Sequence, residues 1–278
     1  MNVARASVQK PRATLWQRLW RHAVFKRTVY DVIGLMLLRQ PGLQMLNCGY
    51  AEDGYPDIPL TAEQEPERLG YQLYDRMVRY HPVHRCDVLE VGCGRGGGAR
   101  FLAGAYHPRS YLATDASRTL IRAQRRREPR NSRLTYAAAR AERLPVADAS
   151  QDIIVGVEMI SVLADKGAFL REAARVLRPG GRLLIVDFFY RRPDSRQAAD
   201  LFRRAALDSP LVTITDENWT AQAVRALEQD SPRRIAEIGK LPRLFRSAAL
   251  SFAGTTQSPL YRQFRDGRAV YLHFVLRR

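Results

Sequence analysis

Short apolar runs alternate with helical patterns across the middle of this chain. Runs rich in Val, Ile and Leu predict buried strands at residues 88–91, 111–115, 134–138, 152–157 and 181–187. Before the last run, residues 169–177 repeat apolar side chains at helical spacing, and Pro179 followed by two glycines ends that helix. Strands that alternate with helices build a parallel sheet with helices on both faces. The pattern therefore predicts a doubly wound, Rossmann-like α/β fold.

The flanking regions differ from this core. The domains we predict are an N-terminal helical cover at 1–81, the sheet domain at 82–190, a helical lid at 191–247 and a closing antiparallel hairpin at 248–278, with strands at 248–253 and 269–276. Near the N-terminus, Trp16, Leu19 and Trp20 fall at helical spacing among arginines. Two interpretations stay open for that segment: a helix on a membrane surface, or a helix packed over the active site.

A ladder of glycines follows the first predicted strand. It has the form Glu90-x-Gly92-x-Gly94-x-Gly96, and a helix is expected to begin near Gly97. Glycines let the chain turn sharply and bring bare backbone against a ligand, while the helix start favours negative charge. The spacing differs from the dinucleotide fingerprint, whose third glycine comes one residue later. The ladder predicts a nucleoside-type ligand at the end of this strand.

The second predicted strand ends in another acid, Asp115, which follows Glu90 by 25 residues. That interval lets one αβ unit return a carboxylate to the ribose hydroxyls of a bound nucleoside. Ser117 is expected to cap the helix that follows. The two acids and the ladder together predict one binding crevice.

These motifs resemble a known family. The Glu90 ladder resembles motif I of class I S-adenosylmethionine-dependent methyltransferases, and LREAARVLRPGGRLLIVD at 170–187 resembles the helix, turn and fifth strand of small-molecule members. Residues 46–80 and the tail SPLYRQFRDGRAVYLHFVLRR are similar to the phthiotriolone and phenolphthiotriolone dimycocerosates methyltransferases, which O-methylate very hydrophobic polyketide lipids. The resemblance implies a seven-stranded sheet, S-adenosylmethionine as cofactor and a hydrophobic small-molecule acceptor.

The resemblance also implies which residues bind the cofactor. The predicted set is Tyr50, Glu90, Gly92, Gly94, Gly96, Asp115, Ala116, Ala141, Glu142 and Glu158. One position departs from the family pattern: where relatives carry an aspartate that accepts from the adenine amino group, this chain has Arg140, which has no acceptor. Adenine is therefore expected to contact the main chain of Ala141.

Catalysis of methyl transfer needs alignment and, for a hydroxyl acceptor, a base. Ligands of open α/β sheets lie beyond the carboxyl ends of the strands. The candidates there are Asp187 as first choice of base, Glu158 as second, and Tyr190. Relatives often place a histidine where this chain has Ser161, so no histidine base is carried over. His107 and His273 are predicted to be structural, and His22 is an open alternative that would reach the site from the N-terminal cover.

Composition changes the picture in one respect. The formal net charge is +17 with a pI near 10.5, which favours contact with nucleic acid or anionic membranes. The arginines are dispersed, and the motif that holds a flipped base is missing after the fourth strand, so a nucleic-acid partner is not predicted. Peripheral membrane contact and a homodimer are left open. The three cysteines show no metal or disulfide spacing, and neither a bilayer-spanning run nor a signal peptide is recognisable. We therefore expect a cytoplasmic protein without a metal.

The sequence thus predicts a methyltransferase that O-methylates a hydrophobic polyketide or lipid. The main alternative is a methyltransferase-like cyclase or rearrangement enzyme that keeps the cofactor pocket without methyl transfer. The altered position Arg140 and the missing histidine leave room for it. A non-catalytic basic module that binds membranes or nucleic acid is the second alternative, and the intact ladder with Asp115 argues against it.

Overall fold

A computed structural model describes residues 41–129, 133–191 and 198–278. The proposed N-terminal amphipathic helix and His22 lie outside these residues. Seven strands form one sheet: β1 (Asp87–Val91), β2 (Ser110–Asp115), β3 (Leu134–Ala138), β4 (Gln151–Val157), β5 (Leu177–Tyr190), β6 (Val212–Asn218) and β7 (Ala269–Arg277). The helices are α1 (Arg68–Val78), α2 (Gly97–Tyr106), α3 (Arg118–Arg127), α4 (Lys166–Val176), α5 (Ala198–Leu207), α6 (Thr220–Gly239), α7 (Arg243–Phe252) and α8 (Pro259–Arg265). Short 3-10 turns cover Pro41–Leu43, Glu65–Glu67 and Ile160–Val162.

The strand order is β3-β2-β1-β4-β5-β7-β6. Strands β1 to β5 run parallel, and β7 is antiparallel to both β5 and β6. The order reverses between β1 and β4, so the carboxyl ends of these two strands flank the crevice in which such folds bind ligands. This topology confirms the predicted doubly wound, seven-stranded fold.

Each face of the sheet carries its own hydrophobic core. Side chains alternate along the strands, so Val88 of β1 packs with α1 and α2, whereas its neighbour Leu89 packs with α4 and α5. The central strands are buried on both faces, which explains why their sequences are nearly continuous apolar runs. A third, smaller cluster joins the turn at Leu43 to α6 and α7.

The predicted boundaries beyond residue 190 were wrong in two places. Residues 248–253, predicted as a strand, lie mostly in α7, where Ala249 packs into the small third cluster. Besides β5, the antiparallel partner of β7 is β6, which lies inside the stretch predicted as a helical lid. A short apolar run does not by itself distinguish a strand from one face of a helix, so the period was misassigned.

None of the helices within 41–129, 133–191 and 198–278 has the length and apolar character that a bilayer crossing needs.

Candidate functional site

The glycine loop between β1 and α2 forms the floor of the crevice. Gly92, Gly94 and Gly96 all have positive φ, at 80°, 49° and 69°. The loop is tied to β2 because the N–H groups of Gly92 and Cys93 both donate to the carbonyl of Thr114, at 2.8 and 2.9 Å. A Cβ at Gly92 would come within 2.8 Å of the Met159 side chain, whereas a Cβ at Gly94 would meet nothing within 4 Å. The crest at Gly94 is therefore bare backbone facing open space, into which a ligand fits.

Asp115, at the end of β2, stands beside this crest. Its carboxylate accepts from the N–H of Gly94 at 2.9 Å and from the N–H of Ser117 at 2.8 Å. Ala116 is exposed between them, and the Ser117 hydroxyl caps α3 by accepting from the N–H of Leu120 at 3.2 Å. The structure brings the glycine ladder and the second acid together as the sequence predicts, and it confirms the helix cap. Ribose binding by Asp115 stays a prediction.

Glu90, the first acid of the ladder, has hydrogen-bond partners within the fold. Its side chain is fully buried, and its two oxygens accept from the hydroxyls of Tyr74 at 3.0 Å and Tyr111 at 2.9 Å. Burial raises the pKa of Glu90 to about 7, although both tyrosine hydroxyls act in the opposite direction. The carboxylate fastens α1 to β1 and β2. This role of the Glu90 side chain is structural, and a contact of Glu90 with the cofactor stays a prediction.

The loop after β3 contains the departure from the family pattern. Arg140 is 70% exposed in its side chain and lies 3.3 Å from the carboxylate of Glu142, which is itself mostly covered. The two ends of this turn pair through a short bridge from Arg140 to Arg143, and Ala141 is buried between them. The guanidinium therefore points to solvent and does not block the space above Ala141.

Two acids sit at the carboxyl ends of β4 and β5. Glu158 takes a left-handed backbone conformation, with φ of 51°, and its N–H donates to the carbonyl of Val186 at 2.8 Å. Its Oε1 accepts from the N–H of Cys48 at 2.6 Å and from the hydroxyl of Tyr271 at 2.8 Å. A non-glycine residue in this conformation is strained and persists where its surroundings hold it, which is common at functional sites. Burial raises the pKa of the Glu158 carboxyl above its ordinary value.

Asp187 is completely buried beside it. Oδ2 accepts from the N–H of Ser161 at 2.9 Å and Oδ1 from the N–H of Phe188 at 2.7 Å. Burial raises the pKa of Asp187 to about 7, the two amides lower it, and the negative charge of Glu158 raises it further. Each carboxylate oxygen has two lone pairs, so these bonds leave acceptor capacity.

A cover segment, residues 42–51, closes one side of these acids and is held mainly through its backbone. Glu67 is buried and accepts from the N–H groups of Gln44 and Met45, at 2.8 and 2.7 Å. Farther along, the N–H of Tyr50 donates to the carbonyl of Leu69 at 3.0 Å. Sequence reasoning missed Glu67, because it looked like one more charge in an acidic loop. Only its buried position shows its role.

Both tyrosines predicted for the site lie on the same side as Glu158. Tyr50 is buried, donates its hydroxyl to Glu52 at 2.9 Å and packs edge-on against Trp219. Tyr190, at the end of β5, is 38% exposed, and burial raises the pKa of its hydroxyl to about 12, helped by the nearby Asp187 and Glu158. Their contacts with cofactor and acceptor stay predictions.

The histidines lie as the sequence predicts. His107 follows α2 before β2 begins, at the edge opposite the crevice. His273 is buried within β7 and stacks on Trp219 with a centroid separation of 4.1 Å. Burial lowers the pKa of His273 to about 3, so it remains neutral. Neither histidine is placed to serve as the base.

Comparison with known proteins decides the family. A model of the methyltransferase domain matches residues 89–185. The phthiotriol/phenolphthiotriol dimycocerosates methyltransferase of Mycobacterium tuberculosis is 33% identical over 227 residues, which cover 81% of this chain and 82% of the relative. The chain belongs to the class I S-adenosylmethionine-dependent methyltransferases. A fatty-acid O-methyltransferase of Mycolicibacterium smegmatis is 35% identical over 69% of this chain and 68% of its own length. The resemblance stated from the sequence motifs is thereby confirmed.

Solved structures of this methyltransferase fold are similar at low identity. The (4+2)-cyclase SpnF superposes with a TM-score of 0.65 at 18% identity, covering 89% of this chain and 95% of its own. The geranyl diphosphate C-methyltransferase of Streptomyces coelicolor gives a TM-score of 0.59 at 15% identity, covering 84% and 87%. At such identities the likeness concerns the fold.

Proposed function

We propose that this methyltransferase transfers a methyl group from S-adenosylmethionine to the hydroxyl of a hydrophobic lipid or polyketide. The observation that carries the proposal is the buried carboxylate of Asp187, with its pKa near 7, at the carboxyl end of β5 and close to Glu158. A base with a pKa near the working pH suits removal of a hydroxyl proton. The relatives named above, by their printed names, act on phthiotriol dimycocerosates and on fatty acids.

The crevice fits the cofactor. The open backbone at Gly94 gives the space that an added Cβ would fill, and the Asp115 carboxylate beside it would accept from the ribose hydroxyls. Ala116, Ala141 and Glu142 would flank the adenine. Glu158 would accept from the amino group at the methionine end, next to Tyr50. When bound, the cofactor supplies a methyl group already activated on a sulfonium.

Asp187 is the proposed base, in preference to Glu158 and Tyr190. The two amides that donate to Asp187 fix both of its oxygens in direction, so an acceptor hydroxyl admitted to this buried position would meet an oriented hydrogen-bond acceptor. Glu158 already accepts two bonds on one oxygen and is assigned to the cofactor. Tyr190, with its pKa raised to about 12, stays protonated and is assigned to orient the acceptor.

An apolar acceptor is supported by the side chains at this end of the sheet. Val162 is 66% exposed just beyond β4, and the partly exposed ring of Tyr190 packs edge-on against Phe188 at 5.4 Å. Apolar groups that stay exposed beyond the carboxyl ends of β4 and β5 would suit an apolar ligand. Each buried methylene contributes about 0.8 kcal/mol, so binding should strengthen as the acceptor chain lengthens.

The test offers the purified protein, with S-adenosylmethionine, a series of hydroxylated lipids of increasing chain length, matched fatty acids and a small hydrophilic phenol. We expect S-adenosylhomocysteine and an acceptor heavier by one methylene, with KM falling as the chain grows. Methylation of the phenol alone would refute the acceptor class.

The likeness to the fold of SpnF and the serine at position 161 support one second candidate, a cyclase that keeps the cofactor pocket. That activity would change the structure of an acceptor without changing its mass and without forming S-adenosylhomocysteine. Mass spectrometry of the same reactions therefore separates the two functions.

A further inference from the structure

Arg234 of α6 is a fully buried cation whose hydrogen bonds join three parts of the chain. Its side chain is 1% exposed. Nε donates to Asp230 Oδ2 at 2.6 Å, Nη1 to the carbonyl of Ala253 at 2.6 Å, and Nη2 to the carbonyl of Asn47 at 2.8 Å. A buried guanidinium is costly unless all its donors are used. Its planar fork suits three fixed acceptors, so Arg234 holds the cover segment against α6.

The third of these bonds has a consequence at the active site. The carbonyl of Asn47 and the N–H of Cys48 belong to the same peptide group. Arg234 donates to the oxygen end of that peptide at 2.8 Å, and its nitrogen end donates to Glu158 Oε1 at 2.6 Å. The peptide dipole therefore lies with its negative end at the cation and its positive end at the carboxylate.

We propose that Arg234 is a positioning residue that acts on Glu158 through the peptide group between Asn47 and Cys48. The cation polarises the carbonyl, and a polarised peptide is a stronger N–H donor, because hydrogen bonds in a chain reinforce one another at low dielectric. The N–H then stabilises the charged form of the Glu158 carboxyl and fixes its position. The importance of Glu158 rests on the proposed function, whereas the effect on its carboxyl does not.

Five parts of the described chain place a titratable or charged group near Glu158. The cover segment contributes Cys48, α1 contributes Tyr74, and β5 contributes Asp187 and Tyr190. Arg234 lies on α6 and Tyr271 on β7. Among these Arg234 is the cation, and its charge lowers the pKa of Glu158 against the rise caused by burial. Asp187 adds negative charge near Glu158. Loss of Arg234 would remove the positive charge that favours the charged form of Glu158 and would leave only the hydrogen bonds from Cys48 and Tyr271 to oppose the effect of burial.

The experiment follows the Glu158 carboxyl directly, by 13C NMR titration of the full chain labelled at glutamate Cδ, with Glu158→Gln to assign the signal. In Arg234→Met the titration midpoint should move to higher pH, and the Cys48 amide proton should move upfield as its bond weakens. In Asp230→Asn, which removes the negative partner of the same cation, the midpoint should move to lower pH. A merely structural role would shift both variants in the same direction.

Arg234→Lys keeps the charge but cannot serve three acceptors at once. Its midpoint should lie between those of the wild type and Arg234→Met. If Arg234→Met does not fold, the opposite shift in Asp230→Asn together with the Lys variant still tests the proposal. Unchanged midpoints in the folded variants would overturn it. If the variants show the expected shifts of the midpoint but the wild-type protein transfers no methyl group, the proposed function alone is refuted.

Discussion

Replacement of Asp115 by alanine tests the cofactor site most directly. The carboxylate lies beside the crest of the glycine loop, accepting from Gly94 at 2.9 Å and Ser117 at 2.8 Å, so its orientation is fixed before any ligand arrives. Preorganised acceptors bind more strongly than mobile ones because little ordering remains to be done. Asp115→Ala removes both the proposed ribose contact and the support of the loop.

The size of the effect follows from these contacts. Loss of a charge-assisted pair to two ribose hydroxyls costs roughly 2–4 kcal/mol. Since about 1.4 kcal/mol corresponds to a tenfold change in affinity, the Kd for S-adenosylhomocysteine should rise by roughly one and a half to three decades. Asp115→Asn keeps one carbonyl acceptor but turns an NH2 toward a backbone donor. We therefore expect an intermediate loss for that variant.

Isothermal titration calorimetry with S-adenosylhomocysteine measures the affinity, and thermal unfolding shows whether each variant is folded. Asp165→Ala is the matched control, because its carboxylate also accepts one backbone N–H, from Ala168 at 2.8 Å, but caps α4 away from the glycine loop. Loss of that cap should cost about 1 kcal/mol of stability and leave affinity unchanged. Equal Kd values for the wild type and Asp115→Ala would refute the placement of the ribose. Equal losses in Asp115→Ala and Asp165→Ala would show a general loss of structure.

Four further predictions follow from the geometry and the sequence. Asp187→Asn should lower the methyl-transfer rate about 10²- to 10⁴-fold and leave cofactor affinity unchanged. Because burial raises the pKa of Asp187 to about 7, wild-type turnover should rise as pH increases through that value. A flat pH profile would contradict the role of Asp187 as base. Tyr74→Phe should lower the free energy of unfolding by roughly 1.5–3 kcal/mol, because it removes a hydrogen bond to Glu90. The loss should be larger above pH 7 than below it, because Glu90, with a pKa of about 7, is charged at the higher pH. Urea denaturation on both sides of pH 7 measures the difference. Arg140→Asp should leave the Kd for S-adenosylhomocysteine within about threefold, because exposed ion pairs contribute little; a tenfold tightening would show that this side chain faces the adenine. Deletion of residues 1–28 distinguishes the two interpretations of that segment: a membrane-surface helix predicts a greater loss of turnover on vesicle-borne than on detergent-dispersed acceptor, whereas a cover helix predicts an equal loss on both.

The strands of the parallel core were predictable because the burial of a strand determines the pattern of its own residues. A strand buried on both faces is largely apolar, and β1 and β4 therefore appear in the sequence as nearly continuous apolar runs. The loop after β1 was predictable for a related reason. Three alternating glycines are needed where φ is positive, and Asp115 follows at the interval that one αβ unit imposes.

The edge of the sheet was not predictable in the same way. Strand β6 exposes nearly all of its side chains, so neither face of it carries a continuous apolar signal. Residues 248–253 carry that signal but lie mostly in α7, where Ala249 is buried in the same cluster as Ile238. Pairing with β7, which no local pattern encodes, decides which of the two segments becomes a strand.

The contacts that hold the acids of the site, such as Glu158, were less predictable still, because backbone groups make many of them. Position 158 was recognisable as the end of a strand, but its partner is the N–H of Cys48, which lies 110 positions away. Any residue other than proline supplies an N–H, so the side chain at position 48 carries no trace of this bond. The same holds for the carbonyl of Asn47, which Arg234 reaches across 187 positions. A family motif is recognisable in a sequence because it fixes the identity of side chains. A peptide group held between a cation and a carboxylate fixes only the path of the backbone, so it leaves no such pattern. Such contacts become visible only in the folded structure, and in this enzyme they surround one of the two acids on which the proposed chemistry depends.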